Sequence, residues 1–392
     1  MSHRLIGLNP DLERLRNEGY DIAVRSGYLI IQDVPYVTAQ GHIERGTLIS
    51  VLEMGDGEHT DKPRKHVCFW MGEPPCHSDG QPIRGFENPT ARKDLGHGLT
   101  NVLTFSAKAS YREYHHKMTT YLGRIVGEAQ KLDPDETAQT HPVFAIEDEN
   151  ESVFKYADTA SSRAGIGALN EKLTPQRIAI VGLGGTGAYI LDLVAKTQVR
   201  EIHLFDGDLF SSHNAFRTPG AASLEQLRGK PTKVHYLAEV YGAMRRGIHA
   251  HDEHVTGDNI GQLCEMDFVF LCVDRGAAKQ AIVPALESAG IAFIDVGMGV
   301  TRTDQGLSGL LRVTTSTPAS RDMARCRISF ADDDGEEDEY KTNVQIAELN
   351  ALNATLAVIR WKKWSGFYRD SGHEHNTSYA IAPNALVSED TA

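Results

Sequence analysis

Over the first 130 residues, apolar and β-branched runs at 27–38, 46–54 and 66–71 alternate with polar turns containing glycine, a pattern that predicts short strands. From 111 to 132 the period changes. Tyr114, Met118, Leu122, Ile125 and Ala129 recur at helical spacing and predict one helix with an apolar face. Packing accounts for this stripe of Met and Tyr better than a cofactor site does. Residues 1–150 therefore read as an α+β domain. The stretch 131–152 contains Pro134, Pro142 and the run Ile146-Glu-Asp-Glu-Asn-Glu, the composition of a connector, so the boundary is placed near 150.

After the boundary, strands and helices alternate. Short apolar runs at 177–181, 201–205, 267–273 and 291–295 predict buried strands, with helices over 188–195, 233–244 and 276–288 between them. That alternation predicts an α/β doubly wound, mostly parallel sheet over 151–392. A further strand at 309–315 and a long helix at 343–364 follow.

Composition narrows the function. The formal charge of −13 argues against nucleic acid or an anionic membrane as the main partner. No apolar run approaches the roughly 18 to 20 residues of a membrane span, and the N-terminus has no sustained apolar run, so a soluble, cytoplasmic protein is expected. Five cysteines (Cys68, Cys76, Cys264, Cys272, Cys326), none in a Cys-x-x-Cys pair, support neither a disulfide scaffold nor a cysteine zinc site.

The chemistry is concentrated between 177 and 274. Gly182-Leu-Gly184-Gly185-Thr-Gly187 lies between a strand and a helix, where backbone can approach a phosphate at a helix N-terminus. Asp206 ends the next strand, in position for a ribose hydroxyl, and Asp208 follows it. These features alone fit a nicotinamide-dependent oxidoreductase equally well. Asn214, Arg217, Lys230, Lys233 and Asp274 make the difference, because transfer of a nucleotidyl group needs cations on the phosphates and an acid for a metal. Asp274 ends a strand run, facing the crevice where such sheets bind ligands.

The stretch from Arg163 to about Asp295 resembles the ThiF/MoeB family of adenylating enzymes, to which the ubiquitin-activating (E1-like) enzymes belong. The resemblance rests on Gly182 to Gly187, Asp206-Gly-Asp208, Ser212-His-Asn214-Ala-Phe-Arg217, Gly229-Lys-Pro-Thr-Lys233 and Cys272-Val-Asp274 in that order. It implies a Rossmann-like adenylation domain that binds ATP and Mg2+. By position, Asp206 would bind the ribose, Asn214 and Arg217 the phosphates, Lys233 or Lys230 the α-phosphate region and Asp274 the magnesium. It further implies adenylation of a C-terminal carboxylate, the substrate being a ubiquitin-like or sulfur-carrier protein, or a peptide. Arg163 is the candidate for an arginine acting on the partner subunit's ATP, which would make a homodimer. The absence of Cys-x-x-Cys pairs implies a zinc-free fold. A non-catalytic partner subunit remains the other reading besides the oxidoreductase.

Cys326, between two arginines, is the candidate for a thioester nucleophile, or else a partly buried thiol. The acidic run 331–339 next to it reads as a solvated loop or as part of a crossover loop. His115-His116, His249-Ala-His251 and His373-Glu-His375 have metal-like spacing but no completing acid or thiol in sequence, so they read as surface histidines. Cys264 and Cys272 read as core. Cys76 beside His77 is a reactive thiol or an incidental cysteine in a turn. The first domain resembles an uncharacterised module found ahead of bacterial ThiF-like domains, and it is expected to recognise the substrate and present its C-terminus.

Overall fold

In the computed structural model, which describes residues 3–83, 87–96, 98–100, 102–107, 109–146, 148–330 and 344–390, contacts divide the chain into two units. The first comprises Met1–Glu151 and Tyr156–Gly165, the second Ser152–Lys155 and Ile166–Ala392. The first unit thus reaches past the boundary expected near 150 and includes Arg163.

The first unit is built on an antiparallel sheet of β1 (Ile22–Arg25), β2 (Tyr28–Val37), β3 (Ile43–Val51), β4 (Val67–Met71), β5 (Glu87–Lys93) and β6 (Val102–Ser106), in the order β1-β2-β3-β4-β6-β5. Its helices are α1 (His3–Leu8), α2 (Pro10–Asn17), α3 (Tyr114–Ala129) and α4 (Thr159–Arg163). Successive residues of a strand face opposite sides. Accordingly Leu29 and Ile31 join α3 residues Met118, Tyr121, Leu122 and Ile125 in one core, while Ile30 packs with Ile49 and Val102 in another. Burial of both faces explains why the 27–38 run is apolar without alternation. The helices α1 and α2 went unpredicted because Pro10-Asp-Leu-Glu-Arg-Leu offers the core only Leu12 and Leu15. Cys76 is buried in a turn bridged to Val37 and Pro82, its Sγ donating to the Pro74 carbonyl, which fits the incidental cysteine.

The second unit carries an eight-stranded sheet in the order β14-β13-β12-β11-β10-β7-β8-β9. The strands are β7 (Arg177–Val181), β8 (Glu201–Phe205), β9 (Ile248–His251), β10 (Phe268–Leu271), β11 (Ala292–Thr303), β12 (Gly306–Ser316), β13 (Glu374–Ala380) and β14 (Ala385–Asp390). From β11 to β9 the pairings are parallel, and from β11 to β14 they are antiparallel. The helices are α5 (Gly167–Asn170), α6 (Gly185–Ala195), α7 (Ser212–Ala215), α8 (Leu224–Arg228), α9 (Lys233–Gly242), α10 (Gly276–Ala289), α11 (Arg321–Arg325) and α12 (Ala347–Trp364), with a 3-10 turn at Ile260–Glu265. α6, α9 and α12 cover one face through Ile190, Leu191, Leu237 and Trp361, and α10 with the 3-10 turn covers the other through Ile282, Leu286 and Leu263. Helices on both faces leave the carboxyl ends of the parallel strands as the place where loops converge. Val181 pairs with both Phe205 and Leu271, so β7, β8 and β10 end at one level.

Candidate nucleotide site

The glycine turn connects β7 to α6 at that level. Gly182 has φ +88°, and its amide donates to the Phe205 carbonyl at 2.8 Å, pinning the turn to the end of β8. A Cβ at Gly182 would lie 2.8 Å from the Cys272 carbonyl oxygen, and one at Gly187 would lie 2.0 Å from the Gly182 carbonyl oxygen. At Gly185 it would strike the Asn350 side chain of α12. The chain's own packing thus accounts for these three glycines. Gly184 differs: it is the N-cap of α6, and a Cβ there would meet nothing within 4 Å. That residue's backbone borders open space at a helix N-terminus, whose free N–H groups and dipole favour an anion.

Asp206 organises this turn. One carboxylate oxygen accepts from the Leu183 amide at 2.7 Å and the other from the Asp208 amide at 2.9 Å. Lys233, at the start of α9, places its Nζ 3.3 Å from both Asp206 oxygens and 2.7 Å from Asp208 Oδ2. Asp206 and Lys233 are 6% and 7% exposed, so this is a buried ion pair, whereas the Asp208 side chain is half exposed. The hydrogen bond from Lys233 holds the Asp208 carboxyl below its ordinary range. Lys230, by contrast, is exposed and sits at φ +48°, in the turn before α9. Lys233 is therefore the lysine that the fold directs to the two acids.

Asn214 Oδ1 accepts from the Ser211 amide at 2.9 Å, closing a capping box on α7. Its Nδ2 is buried with no hydrogen-bond acceptor among the described residues, and so is Nε of Arg217. Asp274 is exposed three residues beyond β10, and the Cys272–Val273 segment before it packs directly on Gly182. Arg163 lies elsewhere: in the first unit, its guanidinium donates to the Asn17 carbonyl at 2.9 Å.

Cys326 is exposed at the C-cap of α11, with Sγ donating to the Asp322 carbonyl. The flanking arginines are engaged away from it, Arg325 with Glu287 and Arg327 with Glu389. The acidic run 331–339 lies outside the described residues. Cys272 is half buried at the end of β10, where burial pushes its thiol up, and Cys264 lies in the 3-10 turn, not in a strand.

Sequence reasoning missed two polar features here. Asn350, on α12, accepts from Thr186 Oγ1 at 2.9 Å while its Nδ2 is buried with no hydrogen-bond partner among the described residues; no local signal links positions so far apart in the chain. Asp295, fully buried in β11, pairs with Lys279 Nζ at 2.7 Å and with Arg312 Nη2 at 2.6 Å. Two of the histidine assignments need correction. His115 is buried against Glu18 at 2.8 Å, because the first turn of α3 packs under α2, and His375 is buried on β13, 3.7 Å from Glu389.

The model of the ThiF family matches residues 158–382, more than half of the chain. The chain belongs to the ThiF family. Its residues 10–159 match a domain of unknown function, DUF6791. Among curated proteins, this ThiF-family chain is 23% identical over 150 residues to ubiquitin-like modifier-activating enzyme 5 of Aedes aegypti, covering 36% of this chain and 38% of that one. It is 24% identical over 153 residues to the protein of that name from Rattus norvegicus, covering 36% and 37%. The match thus spans little more than a third of those relatives' length. Among solved structures, E. coli MccB with ATP is 14% identical at a TM-score of 0.45, covering 57% of this chain and 66% of that one. PaaA gives 16% and 0.44 over the same shares.

Proposed function

We infer that the chain is an ATP-dependent adenylyltransferase that activates a C-terminal carboxylate. The observation that carries this reading is the Lys233–Asp206–Asp208 cluster at the strand ends of a ThiF-family unit, with the charges of Arg217 and Lys233 both felt by His213 and the donors Asn214 Nδ2 and Arg217 Nε buried without a partner among the described residues. Buried donors left without acceptors among the described residues suit an anionic ligand, since such groups are otherwise expensive to bury. The space beside Gly184 suits a phosphate.

In this reading the α6 N-terminus and Arg217 hold the phosphates, and Lys233 bears on the α-phosphate. Asp208, half exposed, or the remaining lone pairs of Asp206 accept from the ribose. A carboxylate oxygen of the substrate attacks the α-phosphorus, the bond to the bridging oxygen of the β-phosphate breaks, and pyrophosphate leaves an acyl-adenylate behind. Arg217 and Lys233 stabilise the charge that grows on these oxygens. Magnesium, held by Asp274, would neutralise phosphate charge; an exposed carboxylate at the strand end is the hard oxygen ligand such an ion takes. The substrate is a ubiquitin-like or sulfur-carrier protein or a peptide, by likeness to the activating enzymes matched, and the first unit recognises it. Arg163 acts across a homodimer, and the Cys326 thiol attacks the acyl carbon of the adenylate, forming a thioester and releasing AMP. A nicotinamide oxidoreductase leaves Arg217, Lys233 and Asp274 without a joint role.

Calorimetric titration with ATP–Mg and with NAD tests the reading. ATP should bind and NAD should not, with Arg217→Ala weakening ATP by about tenfold or more through loss of a charge-assisted contact. Tight NAD binding without ATP binding would overturn it.

A further inference from the structure

Strands β8 and β9 run parallel, with His203 beside His249 and Phe205 beside His251. Because alternate residues share a face, Glu201 and His203 of β8 project on the same side of the sheet as His249 and His251 of β9. The result is a ladder of imidazoles. The rings of His203 and His249 stack with centroids 4.6 Å apart, and His251 stacks on Phe205 at 4.2 Å. Glu201 and His203 lie toward the start of β8, away from the glycine turn at its end.

The ligand atoms of Glu201, His203 and His249 all lie within 4.8 Å of one another. His203 Nε2 is 3.3 Å from Glu201 Oε2. Zinc held at about 2.0–2.1 Å in a tetrahedron keeps its ligand atoms roughly 3.3 Å apart, so this pair already has the spacing of two corners of such a site. The other face of the same ring is engaged as well: His203 Nδ1 lies 3.0 Å from His251 Nε2. With an ion bound, a proton on His203 Nδ1 donated to His251 would leave the Nε2 lone pair for the metal in the space shared with Glu201 and His249. A metal-ligating histidine is oriented in the same manner by a partner on its second nitrogen. The remaining oxygen of Glu201, Oε1, pairs with Arg200 at 3.3 Å, which fixes the carboxylate with Oε2 toward His203. His249 is exposed, so an ion could enter from solvent.

We propose that Glu201, His203 and His249 form a binding site for a divalent transition cation of the zinc type, with His251 orienting His203 and water completing the coordination. Two imidazoles and one carboxylate are borderline ligands that suit zinc, cobalt or nickel over calcium or magnesium. The site departs from the zinc-free fold implied by the missing cysteine pairs, and it uses none of them. Since β9 is the edge strand of the sheet, the ion would tie it to β8.

The test uses the full chain, stripped with a chelator, and titrated with Zn2+ by calorimetry. Wild type should bind about one ion per chain at this site, and His249→Ala and Glu201→Gln should each weaken that binding tenfold or more. His42→Ala, an exposed histidine in the first unit, should change nothing. His249 is exposed, so its loss should leave the fold intact, and Co2+ in place of Zn2+ should give the visible d–d absorption of a tetrahedral N/O site in wild type alone. No stoichiometric binding, or binding by both variants equal to that of wild type, overturns the proposal.

Discussion

Lys233 and Asp206 form a buried ion pair, with Nζ 3.3 Å from each carboxylate oxygen, and the same carboxylate receives the Leu183 amide of the glycine turn. The residue that would contact nucleotide is thereby coupled to the backbone that would cradle its phosphate. Removal of the acid should show this in stability. Asp206→Ala leaves Lys233 buried with only the half-exposed Asp208 as counter-charge and the Leu183 amide without its acceptor, so unfolding in urea should lose about 3 kcal/mol. Asp206→Asn, which keeps an acceptor oxygen for Leu183, should lose less.

The two lysines of the Gly229–Lys233 segment should separate in function. Lys233 is aimed at the acids, while Lys230 is exposed in the preceding turn. Lys233→Ala should lower the rate of ATP–pyrophosphate exchange by roughly 10²–10³, the cost of removing one preorganised electrostatic group. Lys230→Ala should stay close to wild type. Steady-state exchange rates of the two variants check this, and equal losses would contradict the assignment.

Asp208 provides a pH signature. Its carboxyl is held below the ordinary range by the hydrogen bond from Lys233, so the folded state binds a proton more weakly than the unfolded chain does. Its contribution to stability is therefore present above the unfolded value near pH 4 and is lost as pH falls through the lower folded value. Thermal midpoints measured between pH 6 and pH 3, a range chosen around roughly that value, should fall less steeply in acid for Asp208→Asn than for wild type. Because the group is half exposed, the difference should be small.

The acyl-acceptor role proposed for Cys326 is separable from adenylation. Cys326 is exposed and lies outside the Lys233–Asp206–Asp208 cluster, so Cys326→Ser should keep ATP–pyrophosphate exchange while abolishing any thiol-labile acyl-enzyme seen on a non-reducing gel. An acyl-enzyme of the same stability in Cys326→Ser would remove that role.

Much of the parallel half of the second sheet was legible because its strands are buried on both faces and so read as continuous apolar runs: Ile178–Val181 and Phe268–Leu271 admit no polar residue. The flanking strands were not. β13 (Glu374–Ala380) reads Glu-His-Asn-Thr-Ser-Tyr-Ala and β9 Ile-His-Ala-His, and the edge strand β14 has only the short apolar run Ala385-Leu-Val, so none of them offers a sustained hydrophobic signal. β11 was expected to stop at Asp295, yet it runs on to Thr303, because antiparallel pairing with β12 supports a segment of small residues that burial alone would not. At the site, the acids, Lys233 and the glycines follow from local spacing. The contact of Asn350 with Thr186 arises only when α12 returns to the turn, and that of Arg312 with Asp295 only when β12 pairs with β11, and no local pattern announces either.

In the proposed function, the strand-end cluster handles ATP for attack by a carboxylate. ATP–pyrophosphate exchange, assayed with ubiquitin-like and sulfur-carrier proteins ending in glycine, tests it most directly on wild type and Asp274→Ala. The account predicts exchange by wild type with at least one carrier and a loss of roughly 10²-fold or more in the variant, as expected when an electrostatic support of the phosphates is removed. Absence of exchange with every carrier, together with tight NAD binding, would contradict it.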